Sequence, residues 1–334
     1  VKKAFSLLFF CMALHACLYA QTEFFEKINT NDTARQAHAM SYLNVIASDS
    51  FEGRNTATGG QKKAAGYIVQ LLESAGVEKI CRDSSGQLTW FQQWPYAKRF
   101  GDSTWYYPYS ENIVGLVSAA VPSDEYVVVS AHYDHLGIRK GEIYNGADDN
   151  GTGVSALLAM AGEIVSLREA LKRNILIIFF SGEEKGLLGS KYYAQHPVVP
   201  MEKTYANINV DMIGRADSAH QKDTGYIYVI GSDRISSRLD SLLVSVNEKY
   251  HGLYLDYTYN DEKDPNKLYY RSDHYNFAKY GVPVIFFFSG LHPDYHRPTD
   301  DIEHIHPFYY GKRIKLILHT VLELQQLRGP LRQE

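Results

Sequence analysis

Cysteine is scarce in this chain of 334 residues, which has three. Cys11 and Cys17 fall in or beside an N-terminal leader, leaving Cys81. An intramolecular disulfide is thereby excluded, and so is a cluster of thiolate metal ligands. Any metal must be held by nitrogen and oxygen. Long apolar runs are also missing, since the stretch 4–14 is too short for a comfortable bilayer span. Nor is there an excess of charge: 34 basic against 38 acidic side chains give a net charge of −4. Nothing therefore points to nucleic acid or to an anionic surface as partner. No internal repeat and no low-complexity linker divides the chain.

What is present is ample apolar material, with 45% hydrophobic and 13% aromatic residues. Tyrosine is frequent, at 26 residues, which suits rims and strand faces. Residues 1–20 read as an export signal: Lys2 and Lys3, then an apolar stretch, then Leu18-Tyr19-Ala20 before Gln21 as cleavage site. Leu14-His15-Ala16-Cys17 offers an alternative, a lipoprotein-type cleavage leaving a lipid anchor on Cys17. Either route predicts an exported protein, periplasmic, secreted or on the outer surface. The remaining residues 21–334 are predicted to form a single domain.

Apolar periodicity predicts helices over 30–47, 60–75, 153–167, 186–195, 235–250 and 308–327. Strands are predicted over 88–94, 112–118, 126–130, 174–180, 205–210, 226–230 and 282–288. Strands without polar alternation, interleaved with helices, predict a three-layer α/β/α sandwich with a mixed, largely parallel central sheet. The acidic loop 256–267 reads as solvated surface.

Ligands of open α/β sheets gather at the carboxyl ends of the strands. Histidines and acids recur at those places: His132 after 126–130, Glu183 and Glu184 after 174–180, Asp211 after 205–210, and His296 beyond 282–288. His132 and Asp134 are two apart, so an extended backbone turns both to one face. That suits His132 as metal ligand, with Asp134 accepting its other ring N–H. Asp148 and Asp149 lie before a helix. Asn150 or Thr152 would serve as its cap, but a cap needs one acceptor and leaves the paired acids unexplained. A carboxylate bridging two cations would use both oxygens. Of the neighbours Glu183 and Glu184, one can bind metal while the other faces a water. Asp211 and His296 carry little weight singly. The ensemble supplies the imidazoles and carboxylates that two zinc ions need, with a glutamate to spare as base.

In order, the segments Phe51–Arg54, Ala131–Gly137, Asn145–Gly153, Gly182–Ser190, Asp211–Arg215, Arg271–His274 and Tyr295–Asp300 resemble the co-catalytic dizinc aminopeptidases. Relatives of that family include glutamate carboxypeptidase-like enzymes and glutaminyl cyclases. The resemblance implies a zinc-peptidase fold and an aminopeptidase acting on peptides with a free N-terminus. It implies that Asp149 bridges two zinc ions, with His132 and Asp211 on one and Glu184 and His296 on the other. Glu183 would be the general base and Asp134 the acid orienting His132. Asp300 and Asp273 would stand behind the ligands, and Tyr295 would help stabilise an oxyanion. A cis peptide is expected at Asp149–Asn150. The protease-associated insert of some relatives has no room here. Rival readings are a glutaminyl-cyclase-like enzyme, a carboxypeptidase using Arg215 or Arg271 for the substrate carboxylate, and a non-catalytic peptide-binding relative.

Overall fold

The computed structural model describes residues 31–97 and 106–332. The signal predicted over 1–20, with Cys17, lies outside the described residues. The main sheet has nine strands: β1 (Glu78–Lys79), β2 (Phe91–Pro95), β3 (Tyr109–Val117), β4 (Tyr126–His132), β5 (Asn174–Phe180), β6 (Thr204–Val210), β7 (Tyr226–Ile230), β8 (Tyr254–Asp256) and β9 (Val284–Phe288). Their order is β1-β3-β5-β4-β6-β9-β7-β8, with β2 on β3. Strands β5, β4, β6 and β9 run parallel as neighbours at its centre. Antiparallel β3 and β7 flank them. Short hairpins Cys81–Arg82 with Leu88–Thr89 and Gly137–Arg139 with Glu142–Tyr144 lie outside it.

Both faces of the central strands are buried, and alternate side chains serve different layers. Val127, Val129, Ile175, Ile177 and Phe179 join one apolar cluster with Leu43, Ile68, Leu157 and Ile317. These last lie on helices α1 (Asp32–Ile46), α2 (Gly59–Ser74), α3 (Gly153–Ser166) and α7 (Pro307–Leu324), and α5 (Ser237–Tyr250) joins that layer through Leu239 and Leu243. Val128, Leu176, Ile178 and Phe180 pack on the other side with Tyr193 and Phe277, from α4 (Leu188–Gln195) and α6 (His274–Ala278). Each such aliphatic or aromatic side chain taken fully out of water stabilises the fold by roughly 1.5–3 kcal/mol. The result is the three-layer α/β/α sandwich with a mixed sheet.

Three expectations need correction. The strand expected over 88–94 is two, Leu88–Thr89 in a hairpin outside the main sheet and Phe91–Pro95 on β3 within it. Strand β4 continues past residue 130: Ala131 and His132 pair with Phe179 and Phe180, so His132 closes the strand instead of opening the loop. The acidic stretch 256–267 is not wholly solvated. Asp256 is buried, 3.2 Å from His220 Nε2, and buried Asp264 accepts the Leu268 N–H at 2.9 Å. Composition alone reads such acids as surface because their partners are remote or donated by backbone.

Candidate metal centre

The four central strands β5, β4, β6 and β9 are adjacent and parallel, so their carboxyl ends open at one edge of the sheet. His132 ends β4, Asp211 directly follows β6, and Glu183 and Glu184 follow β5 after Ser181-Gly182. Asp149 lies on the turn that leads into α3, and His296 follows β9 by a loop. Gly182 has φ +79°, and a Cβ there would lie 2.8 Å from the Trp94 ring. Gly146 has φ +57°, with His135 ring atoms 2.5 Å from where its Cβ would be. Only glycine fits either position without displacing a neighbour. Met212 and His296 also take left-handed backbone, φ 54° and 57°, a conformation that non-glycine residues adopt rarely and that clusters at working sites. The Asp149–Asn150 peptide bond is cis.

The side chains of these segments meet. His132 Nε2 is 3.3 Å from Asp149 Oδ1, 3.3 Å from Asp211 Oδ1 and 4.0 Å from Glu183 Oε2. His296 Nε2 is 3.2 Å from both Asp149 Oδ2 and Glu184 Oε2. Asp149 thus offers one oxygen to each half of the cluster. Potential ligand atoms of His132, Glu183 and Asp211 lie within 4.8 Å of one another, as do those of His135, Asp149 and Glu184.

His135 stands in the quoted His-Tyr-Asp-His segment but received no role from sequence. Its Nδ1 is 2.8 Å from Glu184 Oε1, yet neither atom makes a well-directed hydrogen bond and both are buried. Buried polar atoms are normally satisfied. Four carboxylates and three imidazoles turned toward common points, some without hydrogen bonds, fit a divalent cation bound by nitrogen and oxygen.

Asp134 does not take the partner foreseen for it. His132 Nδ1 lies 3.1 Å from the Asp134 carbonyl oxygen, and the carboxylate is 3.9 Å away. That carboxylate instead accepts from Thr56 Oγ1 at 2.6 Å and from the Glu183 N–H at 3.2 Å. It is a clamp on the Glu183 turn as much as a neighbour of His132. Asp300 accepts the backbone N–H groups of Asp148 and Asp149, the latter at 3.0 Å. Asp211 accepts from Ser272 Oγ at 2.7 Å. Asp273 is fully buried nearby.

Electrostatics follow from this crowding. Burial pushes the Glu183 carboxyl well above the usual range; His132 opposes, and Glu184 and Asp211 reinforce. Burial and Asp149 act likewise on Glu184, but His135 and His296 outweigh them and hold it at about 2. Burial disfavours charged His296, yet the Asp149 and Glu184 carboxylates bring it to about 9. Burial, reinforced by Asp149 and Glu184, raises the Tyr295 phenol, so it stays a hydrogen-bond donor.

Arg54 is a second residue without a role from sequence. It is fully buried and donates to the carbonyls of Tyr133 (2.9 Å), Ile46 (2.6 Å), Asn145 (2.7 Å) and Gly146 (3.0 Å). It ties the end of helix α1 to both the His132 segment and the Asp149 turn. Its place in the quoted Phe51–Arg54 segment was the only available signal.

The centre faces a narrow cavity walled by Met212, Leu268, Phe286 and Phe288, which Arg271 and Tyr295 also line. A roomier cavity of about 620 Å³, lined by Cys81, Phe91, Tyr192 and His196, lies elsewhere. Among the described residues no helix is long and apolar enough to cross a membrane.

A mixed sheet with a histidine–carboxylate cluster at the carboxyl ends of its parallel strands defines an α/β protein of metallohydrolase type. Residues 112–321 match Peptidase family M28, well over half of the chain, and the protein belongs to that family. It is the dizinc aminopeptidase family that the ordered segments resemble. Aminopeptidase YwaD of Bacillus subtilis is 30% identical over 204 residues, 59% of this chain and 40% of that protein. A probable leucine aminopeptidase of Arthroderma otae is 29% identical over 219 residues, covering 62% and 57%. The chain thus spans about half the length of such curated relatives. Among solved structures, the zinc aminopeptidase BSAP from Bacillus subtilis superposes with TM-score 0.65 at 20% identity, covering 86% of this chain and 94% of that one. Porphyromonas gingivalis glutaminyl cyclase gives 0.63 at 19% identity, covering 87% and 97%. At these identities the structural likeness concerns the fold.

Proposed function

We propose that the protein is an exported aminopeptidase that hydrolyses the N-terminal peptide bond of its substrates with two zinc ions. The observation that carries this reading is the meeting of His132, Asp149, Glu184, Asp211 and His296 around two points, with a Glu183 oxygen 4.0 Å from His132 Nε2 and so close to the first of them. His132 and Asp211 would hold one ion, Glu184 and His296 the other, and Asp149 both. Zinc held there would supply Lewis acidity, acidify a water and anchor a free α-amine.

The remaining work belongs to the chain. Glu183, held by Asp134 through its backbone N–H, accepts the proton of the attacking water and returns it to the departing amine. The Tyr295 phenol donates to the carbonyl oxygen as negative charge develops. Apolar Leu268, Phe286 and Phe288 line the cavity. A non-catalytic binder would have no need of a carboxyl poised in this way, and a glutaminyl-cyclase-like enzyme would need one ion only.

Zinc analysis of the purified protein, coupled to release assays on free and N-blocked aminoacyl p-nitroanilides, tests the reading. About two zinc ions per chain and cleavage of the free-amine substrates alone are expected. Equal cleavage of blocked substrates, or activity surviving complete chelation, sinks it.

A further inference from the structure

Arginines in this protein are mostly committed. Arg54 and the buried Arg313 each donate to backbone carbonyls. Arg234 bonds Asn260 and lies 3.9 Å from the Tyr269 ring centroid. Arg215, one of two candidates for a substrate carboxylate, is 2.7 Å from Asp294 and 3.8 Å from Asp300, so its charge is already met.

Arg271 differs. It lines the same cavity as His132, Asp149, Glu183 and Asp211 and is exposed. Among the described residues it forms no ion pair, and its side chain makes one hydrogen bond, from Nη2 to the Tyr295 hydroxyl at 3.3 Å. A guanidinium carries five N–H donors in a fixed fork and stays charged at all working pH values. The apolar wall of Leu268, Phe286 and Phe288 cannot use the remaining donors. A carboxylate arriving with the substrate can, in the paired geometry such forks favour.

We propose that Arg271 is a substrate-binding residue that takes a carboxylate on a residue flanking the scissile bond, which favours dipeptides with a free C-terminus. This rests on the aminopeptidase reading, in which Tyr295 faces the scissile carbonyl. The α-carboxylate of the departing residue lies about one residue span, ~3.8 Å, beyond that bond, within reach of a guanidinium bonded to that phenol. An acidic side chain on the N-terminal residue would bring the same chemistry by another route.

The test compares leucyl-alanine, leucyl-alanine amide and glutamyl-alanine amide on the wild type, Arg271→Met, Arg271→Lys and Tyr295→Phe. The wild type is expected to prefer leucyl-alanine over its amide by about tenfold in kcat/KM. Arg271→Met should bring that ratio to about one, and Arg271→Lys should restore part of it. Tyr295→Phe should slow all three substrates alike and keep the ratio. A preference for glutamyl-alanine amide over leucyl-alanine amide that vanishes in Arg271→Met supports the proposal with the side chain as source. Ratios unchanged by Arg271→Met, or an equal loss on every substrate, overturn it. Calorimetric binding of the same peptides to the zinc-loaded Glu183→Gln protein reads the preference without turnover. A preference there that depends on Arg271, with no hydrolysis by the wild type, would leave Arg271 standing and remove the aminopeptidase reading.

Discussion

His132 and His220 both sit among carboxylates, but their partners point in opposite senses. His220 Nδ1 is 2.9 Å from Asp217 and its Nε2 is 3.2 Å from Asp256, while the ring stacks on Tyr226 at 3.5 Å. Asp217 in turn accepts from the Ala219 N–H at 3.1 Å and from Tyr228 OH at 2.7 Å. The imidazole lies between two acids, one on each nitrogen, and each bond has an owner. At the candidate metal centre a single nitrogen of His132 faces Asp149, Asp211 and Glu183 together. Convergence on one point makes a cation site, whereas a chain of separately satisfied bonds makes a structural joint. Counting histidines and acids in the sequence does not separate the two.

The largest effect that sharpens the contrast belongs to Glu183. Glu183→Gln should lower turnover by about 10²–10⁴-fold while metal content stays at the wild-type value. Wild-type-like turnover in that variant would remove Glu183 from the mechanism.

Next comes a pair of identical changes in the two clusters. Asp149→Asn should release metal from both halves together, because in the proposed arrangement one carboxylate serves both. Asp217→Asn should leave metal content and turnover per folded molecule alone and cost about 1–3 kcal/mol of stability, as a buried acceptor network is disturbed. Elemental analysis and urea unfolding of the two variants decide the matter; two tightly held ions in Asp149→Asn contradict the bridge.

The smallest expected effect comes from a pair of imidazoles that face each other. His251 Nε2 is 2.9 Å from His319 Nδ1. Burial, then Lys315, holds His251 down at about 4, and burial, then His251, holds His319 at about 3. In the unfolded chain both titrate near about 6.5. Between about 6.5 and 4 the unfolded state therefore binds more protons, so this stability is complete above the window and declines as pH falls through it. Urea midpoints across that range should drop less steeply in His251→Gln than in the wild type. Parallel slopes in the two proteins would separate the pair from the acid sensitivity.

Much of this was legible beforehand because a sheet with both faces buried leaves strong marks. Runs such as residues 174–180 have no polar alternation, and chemistry-bearing residues follow them directly. Arg54, His135 and Arg271 stood within recognisable segments, yet nothing local distinguished a carbonyl-binding arginine from one facing a cavity. Asp134 was placed near His132 correctly, but its carboxylate turned to Thr56 and the Glu183 turn, since both lie far off in the chain.

Local sequence determined the central strands and the longer helices, though not every boundary, because apolar period and side-chain chemistry act over a few positions. The tertiary structure decided which nitrogen faces which oxygen. Those distances depend on the register of β5, β4, β6 and β9 and on turns such as Gly182 and Gly146, and a change of a few ångströms there is invisible in the order of the residues.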